Sequence, residues 1–353
     1  MRFRITYLLL LVLLASSAPG QNQHDPAQHD SAESHKNAEA QRDVNILPEP
    51  EKEHWTVPGD FKTGLQPRPP VQVQRDEQPD FVRELIRVQW RPNDPIDLWI
   101  IRPKLPGKVP VILYIYNYTD SSDRFHDNGW CRRVTADGFA AVGFVSALSD
   151  YRFKYRPLRQ WFVSELAESL GSSVHDVQLI LNHLTDRGDF DMNRVGMFGM
   201  GSGATIAILA AGADSRIKAV DALDPWGDWP DWFKESPVVS DPERAKYLTR
   251  EFLKSVAALD PVTYLPSLKI KSFRLQQTVS EPVTPGSAKN RISSAVPLRT
   301  EIAKYQNAKD LAKAWQAAGL SGWIKQQLRS ETPNKAVAAS SLLKGLTVDA
   351  GRF

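Results

Sequence analysis

The chain has 353 residues, 42% of them hydrophobic, and its 44 Lys and Arg against 41 Asp and Glu leave a net charge of +3. That length allows one large domain with extra segments. The charges are interspersed, so their balance points neither to a nucleic-acid partner nor to an anionic membrane surface.

Arg2 and Arg4 precede an apolar run, Ile5 to Leu14, and then the small residues Ala15-Ser16-Ser17-Ala18. This is the layout of a secretory signal peptide over residues 1–20, with cleavage near Ala18 or Gly20. The run is shorter than the roughly 20 apolar residues of a membrane span, so no stable membrane insertion is expected beyond it. An uncleaved anchor is the other reading. The expected location is secreted or periplasmic. Cys131 is the only cysteine, so an internal disulfide is unavailable and stability has to come from the core. Its place in Trp130-Cys131-Arg132-Arg133-Val134 favours a buried apolar role over a reactive thiol.

Residues 21–80 are rich in Gln, Asp, Glu, His, Ala and Pro, and are expected to be disordered or loosely attached. His24, His29 and His35 are too loosely spaced, and too far from any Cys, to suggest a metal site. Order is expected from Phe81. Val82 to Trp90 and Ile96 to Ile101 read as paired strands around the turn Pro92-Asn93-Asp94-Pro95. Val109 to Tyr116 is almost continuously apolar, as in a central strand covered on both faces. Asn128 to Gly138 reads as a helix and Phe139 to Ser146 as a second buried strand. Tyr151 to Trp161 is aromatic and basic. It could line a pocket for an anion or sugar, or wrap the sheet edge as a surface loop. Ser173 to Thr185 carries Val174, Val177, Ile180, Leu181 and Leu184 on one helical stripe, with Ser173 and Asp176 as a capping-box-like start and Gly188 as the stop. His175 and His183 on that helix read as structural or exposed.

The distinctive stretch is Arg194 to Asp214. An apolar strand-like run leads into Gly199-Met200-Gly201-Ser202-Gly203, and an Ala-rich helical run follows. The turn comes too late, and with the wrong spacing, for a dinucleotide fingerprint. It lacks the Gly-Lys-Ser/Thr of a phosphate loop. Strand, sharp turn and helix are the setting of the G-x-S-x-G nucleophile elbow, with Gly201 at the apex and Ser202 one position later. On these residues the chain from about Val82 to Leu328 resembles an α/β-hydrolase, closest in layout to the dienelactone hydrolase, acetyl xylan esterase and prolyl-oligopeptidase group.

The resemblance implies an α/β fold of three layers over residues 81–329: a mostly parallel sheet, helices on both faces and a small lid insertion at about 226–260. Residues 330–353 would be a peripheral tail. It also implies an oxyanion hole fed by the loop after the Val109 strand. That loop reads Tyr116-Asn117-Tyr118-Thr119 where the family has His-Gly. A backbone donor needs no particular side chain, so the hole can persist with another shape.

After the elbow, Ile217 to Leu223 reads as a strand opening into Asp224 to Phe233. This span holds Trp226, Trp229 and Trp232 with Asp224, Asp228 and Asp231. It leaves the carboxyl end of a strand, where ligands bind in α/β sheets. Tryptophan faces stack on sugars and aromatic ligands; the competing reading is a Trp-rich hinge that packs a lid. Asp241 to Leu259 reads as one amphipathic helix. Phe273 to Gln277 is a short strand, and Glu281-Pro282-Val283-Thr284-Pro285 loosely resembles the family's Asp-x-x-Val-Pro. Glu281 and Asp224 are therefore alternative triad acids. Arg299 to Tyr305 would be the last strand, covered by helices at Asp310 to Ala318 and Ser321 to Leu328.

In the family the triad histidine lies on the loop after the last strand, here Tyr305 to Asp310. The seven histidines are His24, His29, His35, His54, His126, His175 and His183, so none follows the elbow. Nucleophile and base are both missing from their family positions. Losing either costs about 10⁶ in kcat in a serine hydrolase. Two substitutes are conceivable: Ser202 served by His126 in a turn shifted by one residue, or a metal on Asp224, Asp228 and Asp231 without histidine ligands. No cofactor is called for. The expectation is a degenerate hydrolase that binds a small molecule or an envelope partner through Tyr116, Asn117, Ser202, Trp226 and Trp229. The alternatives are an active esterase or peptidase using Ser202, and a structural envelope protein using only its surface.

Overall fold

The computed structural model describes residues 68–91, 94–116, 123–148, 152 and 165–329. The signal-peptide-like segment 1–20, the tail histidines, Asn117, most of the segment 151–161 and the tail 330–353 lie outside these residues.

Nine strands make the sheet: β1 (Arg68–Glu77), β2 (Phe81–Arg91), β3 (Asp94–Pro103), β4 (Val109–Ile115), β5 (Ala140–Phe144), β6 (Phe190–Met200), β7 (Ile217–Leu223), β8 (Ser272–Thr278) and β9 (Glu301–Tyr305). Their order is β1-β2-β3-β5-β4-β6-β7-β8-β9. The first three strands and the β3–β5 pair are antiparallel, and all pairs from β5 to β9 are parallel. The fold is that of an α/β-hydrolase.

β4 shows why its sequence is apolar throughout. Val109, Val111, Leu113 and Ile115 enter one core, whereas Ile112, Tyr114 and Tyr116 enter the other. Side chains alternate across a strand, so a strand with helices on both faces needs apolar residues at both parities. The first core is closed by α2 (Leu166–Arg187) and α3 (Ser202–Ala213), and the second by α1 (Asn128–Thr135) and α10 (Gly322–Leu328). Cys131 lies in the second core, where burial pushes its thiol up to about 11.

Three expectations are corrected. The sheet begins at Arg68 and not at Phe81, because β1 pairs with β2 from Arg68↔Gln89 to Glu77↔Val82. Its side chains are largely exposed. A strand held by its backbone ladder needs little apolar content, and Pro69, Pro70 and two register shifts blunt its outer edge. Next, α2 starts at Leu166, so Ser173 is interior to the helix rather than its cap. The Ser173 hydroxyl donates to the Ser169 carbonyl at 2.8 Å and accepts from the Ala147 N–H at 3.0 Å, which ties the helix to the end of β5. Last, Asp241 to Leu259 is two helices, α5 (Asp241–Tyr247) and α6 (Arg250–Val256), followed by a 3₁₀ turn. The break falls where the Thr249 hydroxyl accepts from the Phe252 N–H at 3.3 Å and restarts the helix. Between β7 and these helices lies α4 (Trp229–Glu235). Among the described residues no helix is long and apolar enough to cross a membrane.

Among the described residues, ion pairs centred on Arg152 and on Asp221 brace the layers. Arg152 donates to Asp94 at 3.0 and 2.6 Å and to Asp176, which also accepts from the Trp90 indole at 2.6 Å. Its charge is thus spent inward, not offered to an anion. Asp221, fully buried on β7, accepts from Arg274 at 2.9 and 2.5 Å and from Gln276 at 2.8 Å. Removing one partner of such a pair leaves an uncompensated buried charge and costs about 3–5 kcal/mol. Arg274→Met is expected to lower unfolding stability by about that amount. Combining it with Asp221→Leu restores much of the loss, and urea unfolding of the two variants measures both effects.

Candidate functional site

The turn after β6 decides the geometry. Gly201 has φ 56° and ψ −120°, and α3 starts directly behind it at Ser202. A side chain is strained at such a φ, typically by about 1–3 kcal/mol, and this strain is what raises a nucleophile above a sheet. Gly199 and Gly203 flank the apex because nothing larger fits. A Cβ at Gly199 would lie 2.4 Å from the Gly203 carbonyl oxygen, and one at Gly203 would lie 2.2 Å from the Ile115 oxygen. The register is therefore the family register with Gly201 at the apex. Ser202 is the first residue of the helix, and its side chain is fully buried.

The hydrogen-bond ladder continues past the strand ends and lines up the rest of the site. The Gly201 N–H donates to the Leu223 carbonyl at 2.8 Å, and the Asp224 N–H donates to the Gln276 carbonyl at 2.9 Å. The Val279 N–H reaches the Tyr305 carbonyl at 2.8 Å, and the Ser280 N–H reaches the Gln306 carbonyl at 3.1 Å. The bare apex is thus the sheet neighbour of Asp224, and Asp224 of the turn that carries Glu281.

The two candidate acids are engaged differently. Asp224, buried and at φ 46°, accepts the Thr278 N–H on Oδ1 at 2.7 Å. Burial pushes its carboxyl up to about 7; the Glu281 charge adds to the rise, and the Thr278 N–H and Lys289 oppose it. Glu281 turns back on its own loop and accepts from the Val283 and Thr284 N–H groups at 2.7 and 3.1 Å. The buried Lys289 binds the Thr278 and Glu281 carbonyls at 2.7 and 2.5 Å. Nothing in the sequence marks Lys289 as functional. Its only signal was its place beside Ala288 and Ile292 on the inward face of α8 (Gly286–Ala295).

On the loop after β9, which holds no histidine, stands Asn307. Its Oδ1 accepts from the Lys309 and Asp310 N–H groups at 2.9 and 3.2 Å and caps α9 (Ala308–Ala318). His126 packs edge-on against Trp99, with ring centroids 4.4 Å apart. His175 packs against Trp90 from α2, and burial lowers the pKa of His183 on the same helix.

The tryptophans are corrected from ligand faces to core. Trp226, Trp229 and Trp232 are between 0% and 2% exposed. They stack among themselves and on Phe233, with centroids between 4.9 and 5.9 Å. The Thr205 hydroxyl on α3 donates to the Trp226 carbonyl at 2.7 Å, so this segment is clamped to the elbow helix by its backbone. Tyr116 stays at the site's edge, beneath the Arg124 guanidinium 3.3 Å from its ring centroid. Among the described residues no group of three or more His, Cys, Asp or Glu is arranged to hold a metal ion, the Asp224, Asp228 and Asp231 set included.

The profile of the X-Pro dipeptidyl-peptidase (S15) family matches residues 93–334. The chain belongs to this family. No curated protein matches it. Among solved structures, acetyl xylan esterase 1 from Thermoanaerobacterium sp. JW/SL YS485 is similar at 14% identity and TM-score 0.56, over 71% of this chain and 88% of that one. The acetyl xylan esterase from Paenibacillus sp. R4 is similar at 17% identity and TM-score 0.59, over 75% and 89%. A cold-adapted esterase from an Arctic intertidal metagenomic library, bound to PEG, is similar at 11% identity and TM-score 0.52, over 73% and 98%. At these identities the likeness concerns the fold alone.

Asp224 supplies a test of the site's electrostatics. Its folded carboxyl keeps a proton up to about 7, against an ordinary value of 3.8. The folded state then binds more protons than the unfolded one in this window, so stability falls as pH rises from about 4 to about 7. Asp224→Asn keeps the acceptor for Thr278 but removes the charge. Urea midpoints are expected to match the wild type near the acid end of that window. Above it the variant should be more stable, by a few kcal/mol at most, on the order of 1.4 per pKa unit.

Proposed function

We propose that this chain is a secreted or periplasmic, catalytically degenerate member of its peptidase family, which binds a ligand in the former active-site pocket. The observation that carries this reading is the apex: Gly201 holds the strained elbow conformation without any side chain to attack with. The absence of a histidine after the elbow supports it independently. An oxyanion hole and a binding pocket without nucleophile and base give only about 10³ to 10⁴ over water. Export rests on the signal-peptide layout of residues 1–20.

The other reading is an active esterase or peptidase using Ser202, and family membership favours it. Three features weigh against it. The Ser202 side chain is fully buried. His126 is packed against Trp99. Asp224, beside the apex, is a desolvated acid with no imidazole to orient among the described residues.

Turnover of p-nitrophenyl acetate tests the proposal. The wild type is expected to hydrolyse it at a rate unchanged by Ser202→Ala. Gly201→Ser alone is expected to remain as slow, since no imidazole takes the proton, and to lose about 1–3 kcal/mol of stability from a side chain at positive φ. A wild-type rate that collapses in Ser202→Ala would establish the active hydrolase instead.

A further inference from the structure

Three side chains grip one residue and one turn at the carboxyl edge of the sheet. Asp224 takes the Thr278 N–H on Oδ1 at 2.7 Å, and Lys289 gives its ammonium to the Thr278 carbonyl at 2.7 Å. The same ammonium binds the Glu281 carbonyl at 2.5 Å and lies 3.6 Å from the Glu281 carboxylate. Glu281 closes the turn by accepting from the Val283 and Thr284 N–H groups. The Thr284 hydroxyl donates to the Pro225 carbonyl at 3.2 Å, next to Asp224 in the chain. Val283 and Thr284 are buried, so the turn 281–285 is seated against the Asp224 segment.

The charges in this knot balance in only one protonation state. Among the described residues, Glu281 from the loop after β8 and Lys289 from α8 are the charged groups that act on Asp224. The elbow, Gly199 to Gly203, brings none. One ammonium therefore serves two carboxyl groups, and it is already engaged with two carbonyls and Glu281. While Asp224 holds its proton, Lys289 answers Glu281 alone. Once Asp224 ionises, a second carboxylate is buried beside the first without a cation of its own, which desolvation and like charge both oppose. The relief is local: the turn 281–285 lifts and water reaches Asp224, while the rest of the sheet stays folded.

We infer that Asp224, Glu281 and Lys289 form a proton-operated latch, which holds the turn 281–285 shut beside Gly201 when Asp224 is protonated and lets it open when Asp224 is ionised. Burial brings the change within reach of neutral solution, because it pushes the Asp224 carboxyl up to about 7. In the opened turn the carboxyl returns towards its ordinary value of 3.8, so the open population grows as pH rises from about 4 to about 7 and levels off above. The latch covers the segment next to the bare apex in acid and uncovers it at neutral pH. It depends on neither ligand binding nor the loss of catalysis.

Amide hydrogen exchange of the full chain, read by mass spectrometry as protection factors between about pH 5 and pH 8, tests it. In a peptide covering residues 278–286, protection is expected to fall with rising pH up to about 7, by no more than about tenfold per unit, and then to level. Dilute urea should leave exchange in this peptide unchanged while accelerating it in β6, because a local opening exposes little surface. Asp224→Asn, which retains an acceptor for the Thr278 N–H, should hold the protection of the turn constant across the range. Glu281→Gln, which removes the competing charge and keeps an acceptor in the turn, should shrink the total fall. Protection independent of pH in the wild type, a fall that persists in Asp224→Asn, or one undiminished in Glu281→Gln would overturn the latch. Equal urea sensitivity in the turn and in β6 would assign the fall to global unfolding and overturn it as well.

Discussion

The structure depends on one close approach of three backbones. At Gly199 and Gly203 the end of β6, the start of α3 and the carbonyls at the end of β4 come within distances that exclude a Cβ, 2.4 Å at Gly199 and 2.2 Å at Gly203. That contact bends the chain sharply at residue 201 and starts a helix at Ser202. The frame of a nucleophile elbow is therefore held by its flanking glycines and by the ladder bond from Gly201 to Leu223, not by the residue at the apex. A chain can keep this frame without a side chain at the apex. Glycine at the apex also removes the strain that a side chain would carry there.

The neighbouring polar groups are engaged in structural hydrogen bonds. Asp224, beside the apex, is a buried acceptor for Thr278. On the loop after β9, Asn307 serves as a helix cap. The loop after β8 is closed on itself through Glu281 and pinned by Lys289. Each group makes short bonds to backbone N–H or carbonyl groups, as buried polar atoms must if the fold is to tolerate them.

Much of the fold was legible from residue order. The two-sided apolar run of β4, the stripe of α2 and the glycine spacing of the turn each reflect a local geometric rule that leaves a mark on the sequence. β1 left none, because an edge strand held by its ladder and exposed on its side chains has the composition of a polar tail. The break at Thr249 was hidden for a similar reason: Leu248 and Phe252 keep helical spacing across it, and only the cap geometry reveals the restart. In the site, Gly201 and the missing histidine could be read from spacing and count. The direction of Trp226, Trp229 and Trp232 could not, since a tryptophan after a strand end can turn toward solvent or toward the core, and composition does not distinguish the two. The bonds from Lys289 to the Glu281 carbonyl and from the Asp228 N–H to Asp260 span 8 and 32 residues, a range at which one sequence carries no pairing signal.

The central claim is that the elbow carries no competent nucleophile. Intact-mass analysis of the purified chain after prolonged exposure to a fluorophosphonate tests it most directly, because the reagent adds covalently to a serine only when a base activates it. The account predicts an unchanged mass. A single adduct mapped to Ser202 would contradict it and show that a hydroxyl one residue beyond the apex has taken over the attack.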